Sequence, residues 1–131
     1  MAFYTSLILT IFWFLFMTYL SHQDGEHTGK TSWKLAEKLS FLDSDINLLN
    51  SRLRRLAHVL VYAVLVVSLN ITLELGRYPL WLTIVTVVWA WADEVTKRLV
   101  QGRHFSWFDV ALNMLGIGVG MVISMCFIVL Y

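Results

Sequence analysis

Charge is what this sequence has least of. Lys, Arg, Asp and Glu make up 15% of the 131 residues, where ordinary soluble domains carry about 25%. The formal net charge is +1, and the basic residues form no stripe with interleaved aromatics, which sets nucleic acid aside as a partner. Cysteine occurs once, as Cys126 in the last apolar run, so an intramolecular disulfide is excluded and the redox compartment cannot be read from it. Motifs of common soluble enzymes are missing as well. There is no G-x-S-x-G elbow, no phosphate-binding glycine loop, and neither an H-E-x-x-H nor a Cys/His metal spacing. His22, His27, His58 and His104 therefore stand without a ligand framework, and no metal or other cofactor is expected.

What the chain does have is apolar surface: 58% of its residues are hydrophobic and the mean hydropathy is +0.67. The length allows one compact domain, whose core could not absorb that much, so the excess must face lipid or another chain. Phe3 to Leu20 holds no charged residue and is long enough to span hydrocarbon. A secretory signal would want a Lys or Arg before it and an A-x-A-like site after it. Neither is present, and the run reads as a retained first span.

Ser21 to Arg55 is the strongly polar stretch. Trp33, Ala36, Leu39 and Leu42 recur at helical spacing, as do Ile46, Leu49, Leu53 and Leu56. They describe either amphipathic pieces along the interface or bundle, or a solvated connector. Leu56 to Leu73 reads as a second span, and Glu74 to Pro79 as a turn, with Pro79 suited to a helix start. Leu80 to Ala92 is apolar but short of the roughly 20 residues a span needs, so a third crossing must continue through Asp93, Glu94 and Lys97. After a loop from Gln101 to Ser106, the fourth span runs from about Trp107 to Tyr131. The expected fold is all-α: an integral membrane bundle of about four transmembrane helices with a polar loop after the first.

Ionisable groups at membrane depth cost about 2.5–3.5 kcal/mol each, so Asp93 and Glu94 must face protein or water. Pairing at i,i+4, Asp93 with Lys97 and Glu94 with Arg98, would balance their charge. It would not explain Asp109, Asn113, Gly116 and Gly120, which share one face of the last span. The G-x-x-x-G pair reads first as plain helix packing and also offers a route to a homo-oligomer. Arg55, His58 and Tyr62 share a face of the second span. Arg103 and His104 join the same end, and His58, Asp93, Glu94, Arg103, Asp109 and Asn113 are expected to converge in one polar pocket near one membrane face.

These residues carry a resemblance. Asp93-Glu94 with Lys97, then Gly102-Arg103, Asp109, Asn113 and Gly116 are similar to the VanZ family pattern D-E-x-x-Q, a G-R loop, and D-x-x-x-N-x-x-G. Arg55-Leu56-Ala57-His58 with Tyr62 resembles its R-K-x-x-H-x-x-x-Y segment, and Ser21-His22-Gln23 with Gly25 and Thr28 its S-S-Q stretch. Lys97 stands where the family usually has Gln, and Leu56 where a second basic residue is common. The resemblance implies a bacterial cell-envelope membrane protein associated with resistance to glycopeptides such as teicoplanin.

On that basis the expected partner is a membrane lipid or a lipid-linked cell-wall precursor, with a glycopeptide antibiotic as a further candidate. Ser21, Gln23, Arg55, Tyr62, Lys97, Arg103, Asp109 and Asn113 would form the binding site, the arginines contacting anionic oxygens. An alternative is a membrane-embedded transferase or hydrolase in which His58 is the general acid or base and Asp93 or Glu94 orients it. A third is a small proton-coupled exporter. Orientation is contested: all Lys and Arg but Arg77 lie in the two polar loops, which the positive-inside rule would place in the cytoplasm. A basic anion site would weaken that rule, and the envelope resemblance favours an outward pocket with cytoplasmic termini.

Overall fold

The computed structural model describes residues 1–23, 25–41 and 45–130, with backbone alone for residues 25–28. Asp24, Leu42, Asp43 and Tyr131, and the side chains of His27 and Thr28, lie outside the described residues. Five α-helices follow one another: α1 (Ala2–Ser21), α2 (Gly25–Lys38), α3 (Ile46–Leu75), α4 (Ile84–Thr96) and α5 (Trp107–Leu130). One 3-10 turn, Leu80–Thr83, leads into α4 and another, Lys97–Leu99, leaves it.

Three of these helices, α1, α3 and α5, are long and apolar enough to cross a membrane. The chain is thus a multi-pass membrane protein. The fourth crossing expected across Leu80 to Lys97 is not shown by these criteria, because only 13 of its residues are α-helical and the run ends in charge. Its outer stripe, Trp81, Ile84, Val85, Val88 and Trp91, is nevertheless exposed and apolar, while Thr83, Thr86, Ala90, Asp93, Glu94 and Lys97 are buried on the opposite face. That division is amphipathic with the polar side turned inward, the inverse of a soluble surface helix.

The expected second span, Leu56 to Leu73, also needs correction. The segment holding Ile46, Leu49, Leu53 and Leu56 is no separate surface piece but the opening turns of the 30-residue α3. Asp45 begins it, its carboxylate accepting the backbone N–H groups of Asn47 and Leu48 at 3.0 and 3.2 Å, the usual role of an N-cap aspartate. With no glycine or proline between Ile46 and Leu75, nothing interrupts the helix. It closes with a pair of reversed hydrogen bonds, Tyr78 N–H to Leu73 carbonyl and Arg77 N–H to Glu74 carbonyl, the pattern of a Schellman motif. The left-handed residue there is Arg77, φ 56°, and not Gly76. Gly76 is needed for space, since a Cβ on it would lie 2.7 Å from the Phe3 ring.

α2 lies against α3, with Ala36 fully buried, so the polar stretch is partly a helix docked on the bundle. α3 and α5 form the central pair, and α1 and α4 pack beside them. Gly116 and Gly120 let α5 approach α3 closely: a Cβ on Gly116 would collide with the Val59 carbonyl oxygen, and one on Gly120 would lie 2.7 Å from that of Ala63. The glycine pair is therefore filled by the chain's own α3. Met17, Tyr62, Leu65, Val66, Ala90 and Ile117 make the core. Trp13 ties α1 to α3 by donating its indole N–H to the Val61 carbonyl at 3.0 Å.

Candidate functional site

The site is built where the C-terminal ends of α1 and α4 meet the N-terminal half of α3 and the start of α5. Its ionic centre is Lys97. Residues three and four apart on a helix are neighbours, and Asp93 and Glu94 both lie on the turn before Lys97. Lys97 Nζ consequently reaches Glu94 Oε2 at 2.7 Å as well as Asp93 Oδ2 at 3.4 Å. The expected partnership of Glu94 with Arg98 is not made, Glu94 being taken by Lys97. Arg98 instead lies over the Phe105 ring at 4.9 Å. Glu94, Asp93 and Lys97 are 0%, 1% and 3% exposed, and removing the cation from such a trio would leave its carboxylates buried without compensation.

Each carboxylate is also held from a second helix or loop. Ser21, at the end of α1, donates its hydroxyl to Asp93 Oδ2 at 2.7 Å. Glu94 Oε1 accepts the Ser106 N–H at 3.3 Å, and the Ser106 hydroxyl accepts the Asp109 N–H at 3.2 Å, capping α5. Asp109 occupies the first turn of α5, where the helix dipole favours a carboxylate.

Asn113 follows one turn later, completely buried, and its Oδ1 lies 2.9 Å from His58 Nδ1. A carbonyl oxygen can only accept, so Nδ1 carries the proton and donates. The ring is thereby oriented with Nε2 toward Asp109, 3.9 Å from Oδ2.

A cavity of about 400 Å³ opens in front of these groups. Tyr62, Asp93 and Lys97 form its floor, His58 part of its side, Arg54 and Arg103 its charged rim, and Met17, Leu20, Leu35 and Leu53 an apolar wall. Arg103 Nε donates to the Gln23 carbonyl at 3.2 Å, so Gln23 contributes backbone as well as lining. Burial, and then the neighbouring Arg54, pull the Arg103 guanidinium below its ordinary pKa, while Glu94, Asp109 and Asp93 pull the other way. Arginine remains charged regardless.

A smaller cavity of about 180 Å³ lies on the other side of His58, lined by Ser51, Arg54, Arg55, Phe108 and Asp109. Arg55 lies over the Phe108 ring at 5.1 Å.

The residues expected from sequence thus divide into four groups. Ser21, Gln23, His58, Tyr62, Asp93, Lys97 and Arg103 surround the larger cavity, and Arg55 and Asp109 the smaller, with His58 in both. Glu94 and Asn113 lie behind them as supports. His104 is exposed and stays outside. Two contributors were passed over. Arg54 lines both cavities; counted back from His58 and Tyr62, the R-K-x-x-H-x-x-x-Y spacing falls on Arg54 and Arg55, so the second basic residue is Arg55 and not a missing one at Leu56, and Arg54 shares a helical face with Ser51, Arg55, His58 and Tyr62. His22 bridges α1 and α4, donating from Nδ1 to the Thr18 carbonyl at 2.9 Å with Nε2 2.9 Å from the Thr96 hydroxyl.

The order of these groups along the chain, Arg55, His58 and Tyr62, then Asp93 and Glu94, then Gly102-Arg103, Asp109 and Asn113, agrees with a match of the VanZ/LLP1 family model to residues 4–129. The chain belongs to the VanZ/LLP1 family. The match takes in all five helices, so the VanZ/LLP1 assignment covers the cavity and its supports together. No match was found among curated proteins or among solved structures.

Proposed function

We propose that this VanZ/LLP1 protein binds the head of an anionic or glycosylated envelope lipid, or of a lipid-linked wall precursor, and so supports resistance to glycopeptides such as teicoplanin. The observation that carries the reading is the composition of the 400 Å³ cavity: one apolar wall, a rim of two arginines and a floor of buried hydrogen-bonding groups. An amphiphile at a membrane face has the same three parts. Arginine suits phosphate oxygens through its bidentate fork.

Residues 80–99 serve as a fourth crossing in this proposal. Thr83 donates to Asn70, toward one end of the bundle, and Asp93 meets Ser21 at the other. A 3-10 turn rises about 2.0 Å per residue against 1.5 Å for an α-helix, so the flanking turns bring the segment to about 34 Å, enough for a hydrocarbon core of about 30 Å. With four crossings both termini share a face, the cytoplasmic one, and the cavity opens outward where wall precursors are exposed.

A second reading, a transferase or hydrolase using His58, draws on the fixed Nδ1–H tautomer and the aim of Nε2. It is the weaker one, since Nε2 faces a carboxylate and no nucleophile stands beside it. The exporter reading has less support still, because both carboxylates of α4 are engaged by Lys97.

Photo-crosslinking in intact cells with an envelope-lipid analogue tests the first reading. Label is expected on the segments containing Arg54 to Tyr62 and Lys97 to Arg103. Label confined to the outer faces of α1 and α5 would overturn it.

A further inference from the structure

The floor and the rim of the cavity differ in the chemistry they accept. Tyr62 is 2% exposed and lines the cavity, and its hydroxyl stands within reach of the Asp93 carboxylate without making a hydrogen bond of good geometry. Asp93 is 1% exposed, and while Oδ2 takes the Ser21 hydroxyl and faces Lys97, Oδ1 makes no hydrogen bond. His22 Nδ1, 3.7 Å from the Asp93 Oδ1, gives its proton to the Thr18 carbonyl. A buried donor and a buried acceptor thus stand open on one cavity floor, an arrangement costly enough to need explanation.

An anion is the wrong occupant there. The floor carries Asp93 and, behind it, Glu94 against the one ammonium of Lys97, so a phosphate would meet excess negative charge. A hydroxyl fits, since it accepts from Tyr62 while donating to Asp93. The rim has the opposite character. Arg54 and Arg103 both line it, and an anionic oxygen there would be drawn to two guanidinium groups.

We infer that the cavity reads its occupant at two points, a hydroxyl at the floor between Tyr62 and Asp93 and an anionic group at the rim between Arg54 and Arg103. The ligand class is an amphiphile whose head bears both a phosphate-type anion and at least one free hydroxyl. The inference rests on the lipid-binding reading above and narrows it. Phosphoglycerol lipids and polyprenyl-linked sugar phosphates share this chemistry.

The test is competitive native mass spectrometry on the full chain in detergent. Four probes with identical acyl chains are compared: phosphatidylglycerol, phosphatidylmethanol, a diacylglycerol glucoside and phosphatidylcholine. Phosphatidylglycerol is expected to outcompete phosphatidylmethanol about tenfold, the effect of one hydrogen bond to a charged group. Tyr62→Phe should lower that ratio severalfold, because the lipid hydroxyl keeps Asp93 but loses its donor, while leaving the preference for phosphatidylglycerol over the glucoside. Arg103→Gln should do the reverse.

Equal binding of phosphatidylglycerol and phosphatidylmethanol to the unaltered chain would overturn the two-point inference. If both still exceed phosphatidylcholine, lipid binding itself survives; if none does, both readings fail. A polyprenyl phosphate sugar in the same competition assigns the source: stronger retention than phosphatidylglycerol, with the same sensitivity to Tyr62→Phe, supports the inference with a wall precursor as occupant. Retention insensitive to Tyr62→Phe contradicts it.

Discussion

Toward one end of the bundle, Asn70 donates to the Ser124 hydroxyl at 2.7 Å, accepts from Thr83, and faces Met121 Sδ at 3.4 Å. Close by, Thr72 draws in Ser6 at 2.7 Å and Thr10 at 3.0 Å. Toward the other end stand Tyr62, His58, Asp93, Glu94, Lys97 and Asn113. Both clusters are buried and polar, and both join helices distant in sequence. In the first cluster no buried side-chain atom lacks a partner; in the second the Tyr62 hydroxyl, Asp93 Oδ1 and Asn113 Nδ2 all do. A satisfied network fastens helices, as polar side chains do within membranes. A network with open atoms beside a cavity is suited to receiving something.

The largest effect that would sharpen this contrast is at Lys97. Lys97→Met leaves two carboxylates buried without their cation, and a loss of about 3–5 kcal/mol is expected. Thermal unfolding in detergent would read it, and adding Glu94→Gln to the same chain should recover part of the loss. Gly116→Ala should follow, at about 1–3 kcal/mol, since its methyl group would collide with the Val59 carbonyl oxygen. A nearly silent result at either position would mean that α3, α4 and α5 are not held as described.

Asn70→Ala addresses the satisfied cluster directly. It strands the hydroxyls of Thr83 and Ser124 and should cost about 1–3 kcal/mol, yet lipid capture per folded molecule should be unchanged. A loss of capture without loss of stability would break the comparison by making both clusters functional.

Much of this division could be read from the chain itself. The apolar runs of α1 and α5 announced a membrane protein, and the spacing of His58 and Tyr62, of Asp93 and Glu94, and of Asp109 and Asn113 placed each set on a helical face before their partners were known. The start of α3 was harder to see. Arg52, Arg54 and Arg55 interrupt its hydropathy, so a span read from apolarity begins at Leu56 and leaves Arg54 out, although helix continuity depends on backbone and capping and not on apolarity. The Glu94 to Lys97 pairing is an i,i+3 contact, which counting at i,i+4 alone passes over. The satisfied cluster was least legible. Threonines and serines such as Thr10, Thr72, Thr83 and Ser124 are tolerated almost anywhere in a span, and which ones meet is decided by the register between helices.

The smallest effect concerns the turn after α3, outside both clusters. Arg77 holds a left-handed conformation that glycine adopts without penalty. Arg77→Gly should therefore raise stability by up to about 1 kcal/mol and leave lipid capture unchanged.

The central claim is that the open cluster is a binding site and the satisfied one is not. It is tested most directly by the rise in melting temperature that phosphatidylglycerol produces in the unaltered chain, Tyr62→Phe and Asn70→Ala, each measured against its own lipid-free value. The account predicts a comparable rise in the unaltered chain and in Asn70→Ala, and a much smaller one in Tyr62→Phe, whose lipid-free stability should match that of the unaltered chain. An equal rise in all three, or a loss confined to Asn70→Ala, would contradict it.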